Sequence, residues 1–265
     1  MASTLAIISS NKIDQRFALL RATKRKALVC YVTSGYPSET ECLELLRGLE
    51  AEGADVIEIG VPFSDPIADG PVIQDSSQKA LAGGMTLKKT LDLVSRASLD
   101  VPVVLFTYLN PLLAAGDDVL DRAIAAGIDG ILLTDLPVGA DPEREKWLGD
   151  SELAFVRLVA PTTPVDRMRK IALNGSGFVY LISRLGVTGT QSSLASDLGE
   201  TTERLRSATT LPICVGFGIS NGEQARAAAS AADGVVVGSA LVKASGESIE
   251  KALLLTRSIR HALDS

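Results

Sequence analysis

The chain has 265 residues, of which 46% are hydrophobic and 22% are charged, and its formal net charge is −6. This composition is typical of a soluble globular protein, and the acidic balance excludes a nucleic-acid surface. No run of about 18 apolar residues is present, so no membrane span is expected. The three cysteines lack metal-ligand spacing and His261 is the only histidine, which argues against a metal site and a Ser-His-Asp triad.

The N-terminal residues lack the basic and apolar pattern of a secretory signal. Cysteines that are odd in number and widely spaced indicate reduced, buried thiols. We therefore expect a cytoplasmic protein, or one of the plastid stroma if the source is a plant.

The predicted elements alternate between helix and strand. A helix capped at Ser10-Asn11 comes first, and a Ser38–Glu41 capping box opens the helix after the first strand. Apolar runs predict strands at 27–33, 56–60, 102–108, 130–134, 153–159, 177–182, 211–217 and 234–238. Further helices are predicted over 74–98 with a break at Gly83-Gly84, up to Gly127, over 141–150, from Pro164 after a Thr163 cap, from about Asp197, from a Ser220–Glu223 capping box, and over 247–263.

Eight strands that alternate with helices require a parallel sheet with right-handed crossovers, and eight such units close into a barrel. The sequence therefore predicts a single (β/α)8 TIM barrel domain over 1–265, with an extra N-terminal helix and a short phosphate-binding helix after the eighth strand. The alternative is an open doubly wound sheet. It is disfavoured because no GxGxxG motif follows the first strand.

The segment 56–71, VIEIGVPFSDPIADGP, carries two candidate catalytic carboxylates. Glu58 lies in an apolar strand, where a carboxylate is unfavourable unless it is paired or its pKa rises so that it stays neutral. Asp69 follows on a loop rich in proline and glycine. This arrangement suits an acid and a base with different pKa values. The alternative interpretation is that Glu58 pairs with a barrel lysine or arginine and Asp69 caps a turn.

Glycine clusters follow the last three strands, at 186–190, 216–220 and 238–242. Glycines allow backbone N–H groups to approach an anion, and a helix that opens at Gly238-Ser239 adds its positive end. In TIM barrels the loops after strands 7 and 8, together with an extra short helix, usually hold phosphate. The alternative is that tight strand–helix turns need glycine in any case.

The remaining candidates form an apolar pocket or lie at strand ends. Lining side chains are Tyr31, Phe63, Phe106 and Leu132, and the residues at strand ends include Tyr108, Asp135 and Tyr180. An apolar lining with a few polar groups suits an aromatic ligand, although the same residues suit a core. Asp135 is a minor candidate for orienting the substrate or facing a partner.

The segment 56–71, followed by YLISRLGVTGT, GFGIS and GSALV, resembles the tryptophan synthase alpha subunit family. The resemblance extends from Tyr31 to about Lys243. It implies retro-aldol cleavage of indole-3-glycerol phosphate to indole and glyceraldehyde 3-phosphate. Glu58 is implied to protonate the indole carbon that bears the side chain and to handle the neighbouring hydroxyl proton. Asp69 is implied to bind the indole N–H.

The resemblance also implies roles for other residues. Implied substrate contacts are Tyr31, Phe106, Tyr108, Leu132, Tyr180 and Thr188, the last closing onto Asp69; implied phosphate contacts are Gly189, Phe217, Gly218, Gly238 and Ser239. Pro62 and Asp65 resemble the docking surface for a beta subunit in an alpha-beta-beta-alpha complex. The pyridoxal phosphate of such a complex belongs to the partner, so this chain is expected to bind no cofactor or metal.

Three alternative functions stay open at the level of sequence. The first alternative is a stand-alone lyase that releases free indole. The second is a weak catalyst that mainly activates a beta subunit. The third is another phosphate-binding barrel enzyme. The last alternative, a sugar-phosphate isomerase or epimerase, is disfavoured by the apolar pocket and the lack of a catalytic histidine.

Overall fold

A computed structural model describes residues 11–182, 191–216 and 218–265. Its strands are β1 Ala27–Thr33, β2 Val56–Gly60, β3 Val103–Thr107, β4 Gly130–Leu133, β5 Ala154–Val159, β6 Val179–Ile182, β7 Ile213–Gly216 and β8 Gly234–Val237. The helices are α1 Lys12–Ala22, α2 Glu39–Ala51, α3 Pro71–Ala82, α4 Leu87–Ala97, α5 Leu109–Ala115, α6 Val119–Ala125, α7 Pro142–Gly149, α8 Val165–Leu173, α9 Gln191–Arg206, α10 Gly222–Ala229, α11 Ser239–Glu247 and α12 Ile249–Asp264. None of these helices is long and apolar enough to cross a membrane.

The eight strands are parallel and pair in sequence order, and β8 pairs with β1 to close a barrel. The predicted TIM barrel is therefore confirmed, and the open sheet is wrong. Alternate strand residues face inward and outward. The inward residues, such as Val56 and Val104, form one buried cluster, and the outward residues, such as Ile57 and Leu105, pack against the helices in another. Burial on both faces explains the unbroken apolar runs in the sequence.

The N-terminal helix closes one end of the barrel. On α1, Ile13, Phe17 and Leu20 are buried against the inward cluster, and the Phe17 and Phe178 rings are 5.5 Å apart. Asn11 caps this helix, since its side chain accepts a hydrogen bond from the Ile13 N–H at 2.9 Å. The extra helix is thus confirmed, while Ser10 lies outside the described residues. With the N-terminal end closed, the carboxyl ends of the strands form the accessible end.

Two predicted helix starts are wrong by one to three residues. The third helix begins at Pro71 rather than Gln74, because Gly70 is extended and a proline fits the first helical turn. The eighth begins at Val165, because Pro164 itself is the extended N-cap residue and Thr163 lies outside the helix.

Three further boundaries also differ from the prediction. Asn221, and not Ser220, caps α10, because its side chain accepts from the Gln224 N–H. Helix α9 begins at Gln191, before the predicted Asp197. The predicted terminal helix is interrupted at Ser248, which caps α12 and separates it from α11. For α10 and α12, the residue whose side chain meets the free N–H groups sets the boundary.

A buried ion pair ties the last helix to the barrel. The Arg260 guanidinium on α12 donates to Asp55 Oδ2 at 2.9 Å and to the Lys26 carbonyl at 3.0 Å. Asp55 also accepts from the Leu28 N–H in β1, at 2.9 Å. Arg260 and Asp55 are almost completely buried. The α12 helix is therefore attached to Lys26, which precedes β1, and to Asp55, which precedes β2.

Candidate active site

Glu58 lies inside the barrel, in the middle of β2. It pairs in register with Tyr31 on β1 and with Val104 on β3, and it is 0% exposed. Within the described part of the chain, neither of its carboxylate oxygens has a hydrogen-bond partner. The alternative interpretation, in which Glu58 pairs with a barrel lysine or arginine, is therefore excluded for the described residues. Burial raises the pKa of Glu58 to about 8, so the group keeps its proton at neutral pH.

Asp69 lies on the loop between β2 and α3 and has different surroundings. Its Oδ2 accepts a hydrogen bond from the Tyr108 hydroxyl at 3.0 Å. Partial burial raises the pKa of Asp69, and the bond from Tyr108 opposes this rise by favouring the charged form. The environments of the two carboxyl groups therefore differ. Glu58 is fully buried and accepts no hydrogen bond from the described residues, whereas Asp69 is half-buried and accepts one from Tyr108.

Tyr108 follows β3 and holds the loop that carries Asp69. Its hydroxyl also accepts from the Ala68 N–H at 3.0 Å, and its ring lies 5.0 Å from the ring of Phe63. Burial, the largest cause, raises the pKa of Tyr108 to about 12, so the phenol stays a donor at neutral pH. The sequence suggested a substrate contact for this residue, but it did not predict the contact with Asp69.

Asp135 supports the same region from the end of β4. Its Oδ1 accepts from the Leu109 N–H at 2.8 Å, at the first turn of α5. Tyr108 is the N-cap residue of α5 and makes no capping bond with its own side chain. Asp135 supplies this cap from another strand, and so it helps to place Tyr108.

Two glycines at strand ends make room for two inward tyrosines. A Cβ at Gly60 would overlap the Tyr31 hydroxyl, and a Cβ at Gly216 would overlap the Tyr180 hydroxyl. Both glycines close their strands, and a glycine within a strand marks such a close approach. Gly60 was missed as part of the site, and Gly216 was predicted only as a member of the 216–220 glycine cluster and not for its approach to Tyr180.

Three of the four predicted apolar pocket residues, Tyr31, Phe106 and Leu132, meet inside the barrel, whereas Phe63 lies on the loop after β2 and packs against Tyr108. The rings of Tyr31 and Phe106 pack edge to face with centroids 5.1 Å apart. Phe106 pairs in register with Leu132, which is 0% exposed, and Phe106 and Tyr180 pack against the same inward cluster as Leu132. The structure thus brings the side chains of Tyr31, Phe106, Leu132 and Tyr180 together on the inner face of the barrel.

The short helix that was predicted after β8 is present. Helix α11 begins at Ser239, and Gly238 is its N-cap residue. A Cβ at Gly238 would lie 3.6 Å from the Tyr31 Cβ, which places the start of α11 beside the apolar pocket. Gly218 has a positive φ of 82° at the end of β7. Thr188, Gly189 and Phe217 lie outside the described residues.

The loop that contains Pro62 and Asp65 borders two adjoining surface cavities of about 560 and 360 Å3. Phe63, Ser64 and Leu81 line both cavities. Ile67 on the same loop is 85% exposed.

The family model described as tryptophan synthase alpha chain matches residues 17–261. The chain belongs to this family. It is 47% identical over 242 residues to the tryptophan synthase alpha chain of Desulfatibacillum aliphaticivorans, covering 90% of this chain and 91% of that one. It is 44% identical over 260 residues to the Caulobacter vibrioides tryptophan synthase alpha chain, covering 95% and 92%.

Solved structures of tryptophan synthase show the same fold. The subunit alpha of Legionella pneumophila superposes with a TM-score of 0.88 at 33% identity, covering 96% of this chain and 99% of that one. A chain of Mycobacterium tuberculosis tryptophan synthase in its aminoacrylate-bound form gives 0.86 at 31% identity, covering 96% and 100%. As a tryptophan synthase alpha chain, the protein is a lyase of tryptophan biosynthesis that cleaves indole-3-glycerol phosphate, and a beta subunit is its implied partner.

Proposed function

We propose that Glu58 and Asp69 cleave indole-3-glycerol phosphate to indole and glyceraldehyde 3-phosphate by retro-aldol acid–base chemistry. One observation carries the proposal: Glu58 is fully buried without a hydrogen-bond partner in the described residues, and its pKa is about 8. A general acid works best when its pKa lies near the operating pH. A carboxyl group in this state can give a proton to a weakly basic carbon.

The proton leaves Glu58 for the indole carbon that bears the glycerol phosphate side chain. The ring then holds a positive charge that is shared with its nitrogen. The Glu58 carboxylate takes the proton of the neighbouring glycerol hydroxyl. The carbon–carbon bond breaks, its electron pair returns to the ring, and the hydroxyl carbon becomes the aldehyde of glyceraldehyde 3-phosphate. Glu58 is protonated again at the end of the cycle, so no net proton is gained or lost.

Asp69 accepts a hydrogen bond from the indole N–H and stabilises the charge that develops on the nitrogen. This role needs an ionised carboxylate. The bond from Tyr108 supports it, because a donor at Oδ2 favours the charged form and leaves Oδ1 for the substrate. In this account the two carboxylates divide the work as acid and as electrostatic partner.

The substrate spans the end of the barrel, with the indole and the phosphate at separate sites. The indole packs on Tyr31, Phe106 and Leu132, and Tyr180 borders the reacting carbons. Phosphate binds at the start of α11, with Gly238 and Ser239, where the helix dipole and free N–H groups favour an anion. The adjoining contacts are proposed at Gly189, Phe217 and Gly218, and Thr188 closes onto Asp69 to exclude water.

A beta subunit docks on the loop that contains Pro62 and Asp65, in an alpha-beta-beta-alpha complex whose pyridoxal phosphate belongs to the partner. The exposed Ile67 and the two cavities that this loop borders support this assignment. A cytoplasmic location fits the three free, buried cysteines. The stand-alone lyase is the alternative outcome of the test.

The test measures indole release from indole-3-glycerol phosphate by the purified chain, alone and with a beta subunit added. We expect slow release alone and strong stimulation by the partner. We expect Glu58→Gln to lower turnover at least a hundredfold in both conditions, which is the usual scale for a positioned acid. Fast release that the partner does not change would identify a stand-alone lyase. Full turnover by a folded Glu58→Gln variant would remove the proposed mechanism.

A further inference from the structure

Two pairs of buried hydroxyl groups connect the end of β1 to neighbouring helices. Thr33 Oγ1 and Ser76 Oγ are 2.7 Å apart and join β1 to α3. Thr90 Oγ1 and Ser34 Oγ are 2.9 Å apart and join the same strand end to α4. All four residues are at most 1% exposed. The pairs are chemically alike and come from adjacent residues of one strand end.

The first pair has a defined direction. Ser76 Oγ donates its single proton to the Ile73 carbonyl at 2.9 Å. Thr33 must therefore donate to Ser76, since a hydroxyl group carries one proton. This chain of bonds fixes the first two turns of α3 against β1.

The helix that this pair holds directly follows the loop that carries Asp69. Helix α3 begins at Pro71, two residues after Asp69. In its first turn, Gln74 Nε2 donates to the Asp69 carbonyl at 2.9 Å and to the Pro66 carbonyl at 3.4 Å. The position of α3 therefore sets the position of the Asp69 backbone.

The second pair reaches a helix without this connection. Helix α4 follows the break at Gly83-Gly84 and contacts α2. Arg47 of α2 donates to the Arg96 carbonyl of α4 at 2.7 Å. Its Thr90 also contacts the Thr86 carbonyl at 3.0 Å. The two pairs therefore share chemistry and burial and differ in what their helices hold.

Helix α3 also forms part of the pocket wall. Ile73 packs with Tyr31 and with Val242 of α11 in one small buried cluster. A shift of α3 would therefore move Asp69 relative to a ring that lies beside Glu58 in register.

We propose that Thr33 and Ser76 are positioning residues for Asp69, which they hold in place through α3 and Gln74. The inference rests on the proposed role of Asp69. Misplacement of a reacting group by about 1 Å lowers a rate by up to a hundredfold, while the net stability of one buried hydrogen bond is small. Loss of the pair therefore affects turnover more than it affects folding.

The test compares the two pairs by the kcat and KM of indole release and by the thermal midpoint. We expect Thr33→Val and Ser76→Ala to lower kcat about tenfold with KM changed less than about twofold. Thr90→Val and Ser34→Ala are the matched controls, and we expect similar losses of thermal midpoint with kcat within about twofold of the parent. Thr33→Ser keeps the hydroxyl and should restore kcat.

Equal effects of the two pairs on kcat would overturn the inference, because the hydroxyls would then serve stability alone. Gln74→Ala gives an independent check that leaves the buried pair intact, and it should also lower kcat. Asp69→Asn distinguishes failure of the proposed role of Asp69 from failure of the positioning inference. If Asp69→Asn is fully active, the proposed role of Asp69 fails. If Asp69→Asn is impaired and a folded Thr33→Val is not, only the positioning inference fails.

Discussion

The Tyr108 hydroxyl donates to Asp69 Oδ2 at 3.0 Å and thereby joins the end of β3 to the loop after β2. The bond leaves the second oxygen of Asp69 for the substrate. Tyr108 is in turn placed by Asp135, which caps α5. Three successive strand ends therefore contribute to the position of one carboxylate.

Tyr108→Phe removes the hydroxyl and keeps the ring that packs on Phe63. The variant loses the bonds to Asp69 and to the Ala68 N–H. We expect kcat to fall about tenfold, because a charge-assisted hydrogen bond contributes about 1.5–3 kcal/mol. Steady-state indole release checks this, with the thermal midpoint as the control for folding. Unchanged kcat would show that Asp69 keeps its position without Tyr108.

Glu58→Gln should stabilise the fold at neutral pH. The pKa of Glu58 is about 8 in the folded chain and near 4.5 when unfolded, so folding takes up a proton between these values. The stability that depends on this group is thus fully present below pH 4.5 and is lost as the pH rises towards 8. At pH 7 the penalty is about 3 kcal/mol, and glutamine removes it.

Denaturant unfolding of the parent and Glu58→Gln at pH 4, 7 and 9 checks this prediction. The difference in the free energy of unfolding should be near zero at pH 4 and should increase with pH. An equal difference at all three values would show that packing, and not ionisation, causes it.

Gly60→Ala should disturb the pocket, because the added methyl group overlaps the Tyr31 hydroxyl and ring. Overpacking of this kind typically costs about 1–3 kcal/mol, and it displaces a proposed indole contact. We expect a lower thermal midpoint and a higher KM. Gly149→Ala on α7 is the control, since a Cβ there has no neighbour within 4 Å. If both variants behave alike, Tyr31 has room that the structure does not indicate.

Arg260→Met should destabilise the fold strongly without affecting the chemistry. It leaves Asp55 buried without its main cation, and such a loss costs about 3–5 kcal/mol. Arg257→Met is the matched control on the same helix, because Arg257 pairs with Glu52 at the surface and should have little effect. Chemical denaturation measures both variants, and a small effect of Arg260→Met would contradict the assigned role.

The barrel could be predicted because its strands are buried on both faces, which makes their apolar runs continuous. Glu58 stood out because it interrupts such a run. The link between Tyr108 and Asp69 could not be predicted, because it joins two loops 39 residues apart. The same limit applies to Gly60, whose need for space depends on a tyrosine of another strand. Helix starts were displaced because Asn221 and Gly70 compete with neighbouring residues for the cap, and local spacing does not decide this competition.

The most direct test of the central claim is the pH dependence of kcat/KM for indole release, since this parameter reports the ionisation of the free enzyme. We expect kcat/KM to fall at acid pH, where Asp69 takes up a proton, and to fall with one proton above about pH 8, the pKa of Glu58. The residual activity of Glu58→Gln should lack this transition. A transition near pH 8 that persists in Glu58→Gln, or a parent kcat/KM that rises with pH through about 8, would contradict a protonated Glu58 as the acid.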